Sequence, residues 1–88
     1  MKIRYHIYFS GRVQGVGFRY TAAFAARALK LTGWVKNLWD GRVEMEVQGE
    51  KSAVSKFLIR LRGERYIRIE HMEIEELPLE NEPTFAVR

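Results

Sequence analysis

The sequence predicts an α+β sandwich in which one mainly antiparallel sheet carries two helices on a single face. Three observations lead there. Residues 2–10 alternate apolar and polar side chains with the period of two of a half-buried strand. Two later segments gather their apolar residues at helical spacing instead. Between those segments stands Asp40-Gly41, a dipeptide that marks a hairpin turn.

In KIRYHIYFS, Ile3, Tyr5, Ile7 and Phe9 make the apolar face of a first strand, and Lys2, Arg4, His6 and Tyr8 the polar one. FRYTAAFAARALKL brings Phe18, Ala22, Ala25 and Leu29 onto one stripe, and its alanines favour helix. TGWVKNLWDGRVEMEVQG reads as two strands around the turn, with Val43, Met45 and Val47 alternating against Glu44, Glu46 and Gln48. EKSAVSKFLIRLRG aligns Ala53, Val54, Phe57, Leu58 and Leu61 on a second helical face ended by Gly63. In YIRIEHMEIEELP the alternation slips by one residue between Ile69 and Met72, which predicts a bulge. TFAVR predicts a short fifth edge strand, with Pro78 and Pro83 bracketing a turn before it. The order βαββαβ with a short fifth strand is the ferredoxin-like arrangement, and residues 1–88 read as one domain with one core.

A right-handed crossover through the first helix makes strand two parallel to strand one and leaves strand three between them. The carboxyl ends of strands one and two then share an edge, about 10 Å apart at ~4.8 Å per strand. The hairpin register decides which residue stands there. A two-residue Asp40-Gly41 loop pairs Lys36 with Met45 and puts a lysine on the apolar face. A longer loop, from about Leu38 to Arg42, pairs Asn37 with Val43 and Val35 with Met45, and is preferred for that reason. Asn37 then ends the helix-facing side of strand two.

Composition narrows the chemistry. The 88 residues carry a net charge of +4, which favours anionic partners without separating nucleic acid from a small phosphorylated substrate. The basic residues are mostly interleaved with apolar ones. There is no cysteine, and His6 and His71 lack ligand-type spacing, so no metal is expected. No apolar run approaches the ~18 residues that span a bilayer, and no leader pattern is evident, so a soluble, unprocessed, cytoplasmic protein is expected.

The stretch GRVQGVGFR, residues 11–19, holds three glycines and no acid. Gly15 and Gly17 can take positive φ, letting the amides from Gln14 to Arg19 turn inward as an anion-binding nest. The helix then starts near Phe18 with no Ser, Thr, Asp or Asn to cap it, which a bound phosphate would remedy. Arg19 would add a cationic fork for phosphate oxygens. On loop chemistry alone, a tight strand-to-helix turn explains the glycines equally well. The Walker-type and dinucleotide patterns do not fit, so the phosphate reading points to a simple anion.

GRVQGVGFR together with GWVKNLWDGRVE closely resembles the paired signature of the acylphosphatase family, and the resemblance extends to the βαββαβ order of the whole chain. It implies hydrolysis of the carboxyl–phosphate bond of a small acyl phosphate, with inorganic phosphate as product and no cofactor. Carried over to these positions, it implies that Arg19 binds the phosphate, that Asn37 positions the water, and that the cradle amides are those of Gln14, Gly15, Val16, Gly17, Phe18 and Arg19. A monomer without nucleic-acid or membrane partners is expected. Two departures stand out. RGERYIRIEH replaces a segment where relatives often have Gly-Pro, and the chain closes on Arg88 rather than an aromatic residue, neither change falling on Arg19 or Asn37. Acylphosphatase-like modules also occur in larger hydrogenase-maturation proteins, for whose other parts 88 residues leave no room.

Two other functions share features with this sequence. RNA-recognition domains share the βαββαβ order, but their aromatics lie on central strands, whereas here RVEMEVQ has none. A non-catalytic anion sensor would keep the cradle without depending on Asn37 for turnover. Ser10 lacks the partners of an activated serine, and Glu70, Glu73, Glu75 and Glu76 read as a solvated strand face. Tyr20, Phe24 and Trp34 are expected in the core or at its margin. Trp39 is expected to cap the pocket mouth or cover the sheet edge.

Overall fold

The computed structural model describes all residues from Met1 to Arg88. The elements follow in the order β1 (Lys2–Arg12), α1 (Phe18–Ala28), β2 (Thr32–Asn37), β3 (Val43–Glu50), α2 (Lys51–Arg62), β4 (Arg68–Leu77) and β5 (Phe85–Val87). One sheet takes all five strands in the order β4-β1-β3-β2-β5. Neighbours are antiparallel except β2 and β5, which run parallel. Ile7, Phe9, Val43, Met45 and Val47 are fully buried on one sheet face, in a single cluster with Phe18, Ala22, Ala25 and Ala26 of α1 and Val54, Phe57 and Leu61 of α2. Both helices therefore cover the same face.

The hairpin takes the longer loop, with Asn37 opposite Val43 and Val35 opposite Met45. Lys36 is kept off the apolar face, as the cost of burying an unpaired ammonium requires. The bulge also stands where the apolar phase slips. Ser10 pairs with His71 and Gly11 with Ile69, leaving Glu70 as the extra residue.

Three expectations are corrected. Tyr20 and Phe24 are 68% and 67% exposed. Each stands two residues after a core position of α1, about 200° round the helix, and so faces outward. Trp34 is buried, but outside the core cluster. It alternates with Val35 and lies on the other sheet face, where the Arg88 guanidinium covers its ring at 4.6 Å. Pro78 and Pro83 bracket a crossing strap rather than a turn, because β4 and β5 lie at opposite edges of the sheet.

The strap runs over the face that the helices leave open, and Arg4 fastens it. This side chain is fully buried. Its Nε donates to Glu46 Oε1 at 2.9 Å, and its Nη1 donates to Glu82 Oε1 at 2.6 Å and to Gln48 Oε1 at 3.2 Å. Nη2 lies 2.8 Å from the same Glu46 oxygen, close enough for an ion pair but without hydrogen-bond alignment. Burial pulls the guanidinium pKa down, yet the hydrogen bonds and charges of Glu82 and Glu46 outweigh it and hold the pKa above its ordinary value. Gln48 adds two bonds to the backbone of Glu80, each 2.8 Å.

Candidate active site

The loop from Val13 to Gly17 leaves the end of β1 and turns directly into α1. Gly15 and Gly17 have φ of 72° and 77°, in the left-handed region. A Cβ at either would meet nothing, so conformation rather than space is what calls for glycine there. Gly17 is the N-cap of α1 and offers no side-chain cap, and the first turn holds no acid. Outside the regular elements, no backbone hydrogen bond is donated by an amide between Gln14 and Tyr20. These donors, with the positive end of the helix dipole behind them, form a ready anion receptor.

Arg19 and Asn37 converge on that receptor. They line one concavity of about 200 Å³ together with Val13, Gln14, Gly15, Gly17 and Phe18. Asn37 is exposed at the end of β2. Arg19 leaves the first turn of α1, and its Nη1 donates to the Arg88 carbonyl oxygen at 2.9 Å. The Arg88 amide in turn donates to Val35 O at 2.8 Å. The closing residue thus bears on Arg19 after all, through its backbone, which sequence comparison of side chains does not reveal.

The sequence points to Gln14 only for its backbone amide, whereas its side chain joins the two halves of the site. Nε2 donates to Leu38 O at 2.7 Å and to Arg42 O at 2.9 Å, tying the glycine loop to both ends of the hairpin loop. That loop is closed by a Leu38 amide bond to Arg42 O at 2.8 Å. Asp40 braces it by accepting from the Arg42 amide at 3.1 Å and from Arg42 Nε at 2.9 Å. The bond from the Arg42 amide, with the Arg42 guanidinium beside it, holds the Asp40 carboxyl below its ordinary pKa. Trp39, at the tip, is 98% exposed and covers neither pocket nor edge.

The other candidate catalysts stand elsewhere. His6 lies on the open sheet face, 2.7 Å from Glu44. His71, Glu73, Glu75 and Glu76 are exposed along β4. Ser10 forms no bond with a histidine or an acid, and no cluster of three or more metal-ligating side chains is assembled.

The profile of the acylphosphatase family matches residues 5–87, which takes in the loop, Arg19 and Asn37. The chain belongs to the acylphosphatase family. An acylphosphatase of Pseudomonas paraeruginosa is 47% identical over 88 residues, covering 99% of this chain and 97% of that one. An acylphosphatase of Geobacillus thermodenitrificans is 50% identical over 74 residues, covering 83% of this chain and 79% of its own length. The crystal structure of acylphosphatase from Bacillus subtilis superposes with a TM-score of 0.91 at 38% identity, covering 98% of each chain. The ferredoxin-like fold with a short fifth strand is thus that of solved acylphosphatases, and this chain is an enzyme of the family. No helix in it is long and apolar enough to cross a membrane.

Proposed function

We propose that the chain hydrolyses the carboxyl–phosphate anhydride of small acyl phosphates, with the phosphoryl group held by the amides of Gln14 to Arg19 and by the Arg19 guanidinium. The observation that carries this reading is the convergence of uncapped amides, Arg19 and Asn37 on one concavity. The Asn37 side-chain amide orients a water toward phosphorus. The water oxygen forms the new P–O bond, the P–O bond to the carboxyl group breaks, and its electron pair leaves with the carboxylate. The water proton passes to a phosphate oxygen, so the other product is inorganic phosphate. A carboxylate is a good leaving group and needs no general acid. What remains to be supplied is charge stabilisation and in-line placement, the two things amides, Arg19 and Asn37 provide. A neutral Asn suits the water because a carboxylate in its place would repel the substrate. No metal or cofactor is assigned a step.

Residues 1–88 act as one domain in this reading. One chain supplies every group of the cradle, which supports a working monomer.

The test is steady-state hydrolysis of benzoyl phosphate with a chelator present. Asn37→Ala should lower kcat about a hundredfold with phosphate inhibition nearly unchanged, as expected when a group acts on the attacking water. Arg19→Ala should lose phosphate affinity and turnover together. Phosphate binding without turnover in the natural sequence would overturn the proposal and leave a cradle without chemistry.

A further inference from the structure

The largest hollow of the molecule lies on the other side of the glycine loop from Asn37. It is a cleft of about 850 Å³ between the end of β1, the end of α2 and the start of β4. Four arginines line it: Arg12 closes β1, Arg62 closes α2, Arg65 follows α2 and Arg68 opens β4. Elsewhere Arg4, Arg19, Arg27 and Arg42 each donate to an oxygen of the chain, and Arg60 and Arg88 lie over the rings of Phe24 and Trp34. Arg12, Arg62 and Arg68 hold no such acceptor, and Arg65 meets only the Tyr66 ring, at 5.5 Å. Glu70, the bulged residue of β4, is the sole acid in the lining.

We propose that this cleft is a second anion site, distinct from the cradle, for a small ligand carrying two or more phosphate-type groups. Four guanidiniums brought together with only the Glu70 carboxylate among them repel one another, and a multivalent anion relieves that repulsion while filling their planar forks. A single monovalent ion would leave most of the charge unmatched. The ligand is small because the charge changes sign just beyond the cleft: β4 continues from Glu70 through Glu73, Glu75 and Glu76, all exposed, and would repel an extended polyanion. The two sites share a wall, since Val16 lines the cleft while its neighbours Gly15 and Gly17 line the cradle.

Titration calorimetry of the full chain with inorganic tripolyphosphate tests this. In Arg19→Gln, which disables the cradle cation, a one-to-one tripolyphosphate site should persist. In the double variant Arg62→Gln/Arg65→Gln, tripolyphosphate affinity should fall at least about tenfold, as the loss of two charge-assisted forks requires, with inorganic phosphate binding unchanged. Both arginines are exposed, so folding is retained. Loss of all tripolyphosphate binding in Arg19→Gln would overturn the proposal by showing that the cradle is the only site. Unchanged affinity in the double variant would overturn it too. Displacement by a short single-stranded oligonucleotide at lower concentration than tripolyphosphate itself needs would reassign the face to nucleic acid and also overturn the small-anion site.

Discussion

Gln14→Ala isolates the clasp between the two loops of the site. It removes two hydrogen bonds, of 2.7 and 2.9 Å, and leaves the Gln14 backbone amide in the cradle. A neutral hydrogen bond contributes about 0.5–1.5 kcal/mol net, and the low half of that range applies because neither carbonyl is orphaned. Arg42 O keeps its bond from Leu38 N at 2.8 Å, and Leu38 O keeps its bond from Gly41 N at 3.3 Å. The expected loss is therefore about 1–2 kcal/mol, which for a domain this size lowers Tm by roughly 5–15 °C. Catalysis should suffer in a particular way. The clasp fixes the hairpin that carries Asn37, so kcat should fall about tenfold while inhibition by inorganic phosphate stays within about threefold. Gln14→Glu should do worse, since its carboxylate would face two carbonyl oxygens. Thermal unfolding and benzoyl phosphate kinetics on the same preparations check both parts. A folded Gln14→Ala with natural kcat, or one that loses phosphate affinity as far as Arg19→Ala does, would refute the reasoning.

Gly17→Ala should cost about 1–2 kcal/mol in urea unfolding, the penalty of a left-handed conformation with no clash added, and should weaken phosphate inhibition as the cradle deforms. Arg4→Ala should cost about 3–5 kcal/mol in the same assay, because it leaves Glu46 and Glu82 largely buried without their cation. Glu44→Gln should change the acid limb of stability. Burial pushes the Glu44 pKa up, but the hydrogen bond to His6 and the charge of Lys36 outweigh it, so the folded value lies below the ordinary one. Such a carboxylate contributes stability that is present above its unfolded pKa and lost as pH falls through the folded value. The natural chain should thus exceed Glu44→Gln in stability near pH 7 and converge on it as pH falls through the lowered folded value; a gap of constant size would contradict this.

Sequence reading succeeded where one residue's burial forces a choice. Lys36 decided the hairpin register because the alternative buries an unpaired ammonium, and the slipped phase between Ile69 and Met72 signalled the bulge that the structure places at Glu70. It failed where the deciding partner is remote or lacks a side chain. The alternation of β1 put Arg4 on the polar face correctly, but nothing local says that residues 78–84 return to bury it. That requires the sheet order, which places β4 and β5 at opposite edges. In the candidate site, glycine spacing and the missing cap marked the loop, and the paired motifs singled out Arg19 and Asn37, which the structure brings to one concavity. The Gln14 clasp spans 24 and 28 residues and ends on carbonyl oxygens, which every residue has. The acceptor of Arg19 is likewise a backbone oxygen, so the identity of residue 88 gave no sign of it.

The strap gives Arg4 a connection to the cradle that its position on the far face conceals. β5 is only three residues long, and its pairing with β2 is supplemented by burial of Phe85 in the core. It is stitched to α1 at both ends: Arg27, in the last turn, donates to Phe85 O at 2.9 and 3.2 Å, and Arg19, in the first, donates to Arg88 O at 2.9 Å. The cation proposed for the cradle is therefore held by a strand that the chain delivers by crossing the open face, and Arg4 fastens that crossing. Loosening the strap should free Arg88 O and let Arg19 swing. Arg4→Ala should then weaken phosphate inhibition at temperatures where it remains folded, whereas a core truncation of similar cost away from β5, such as Ile7→Ala, should not. Equal phosphate affinity in the two variants would mean that pairing with β2 and the bonds from Arg27 suffice to hold β5, and that Arg4 serves stability alone.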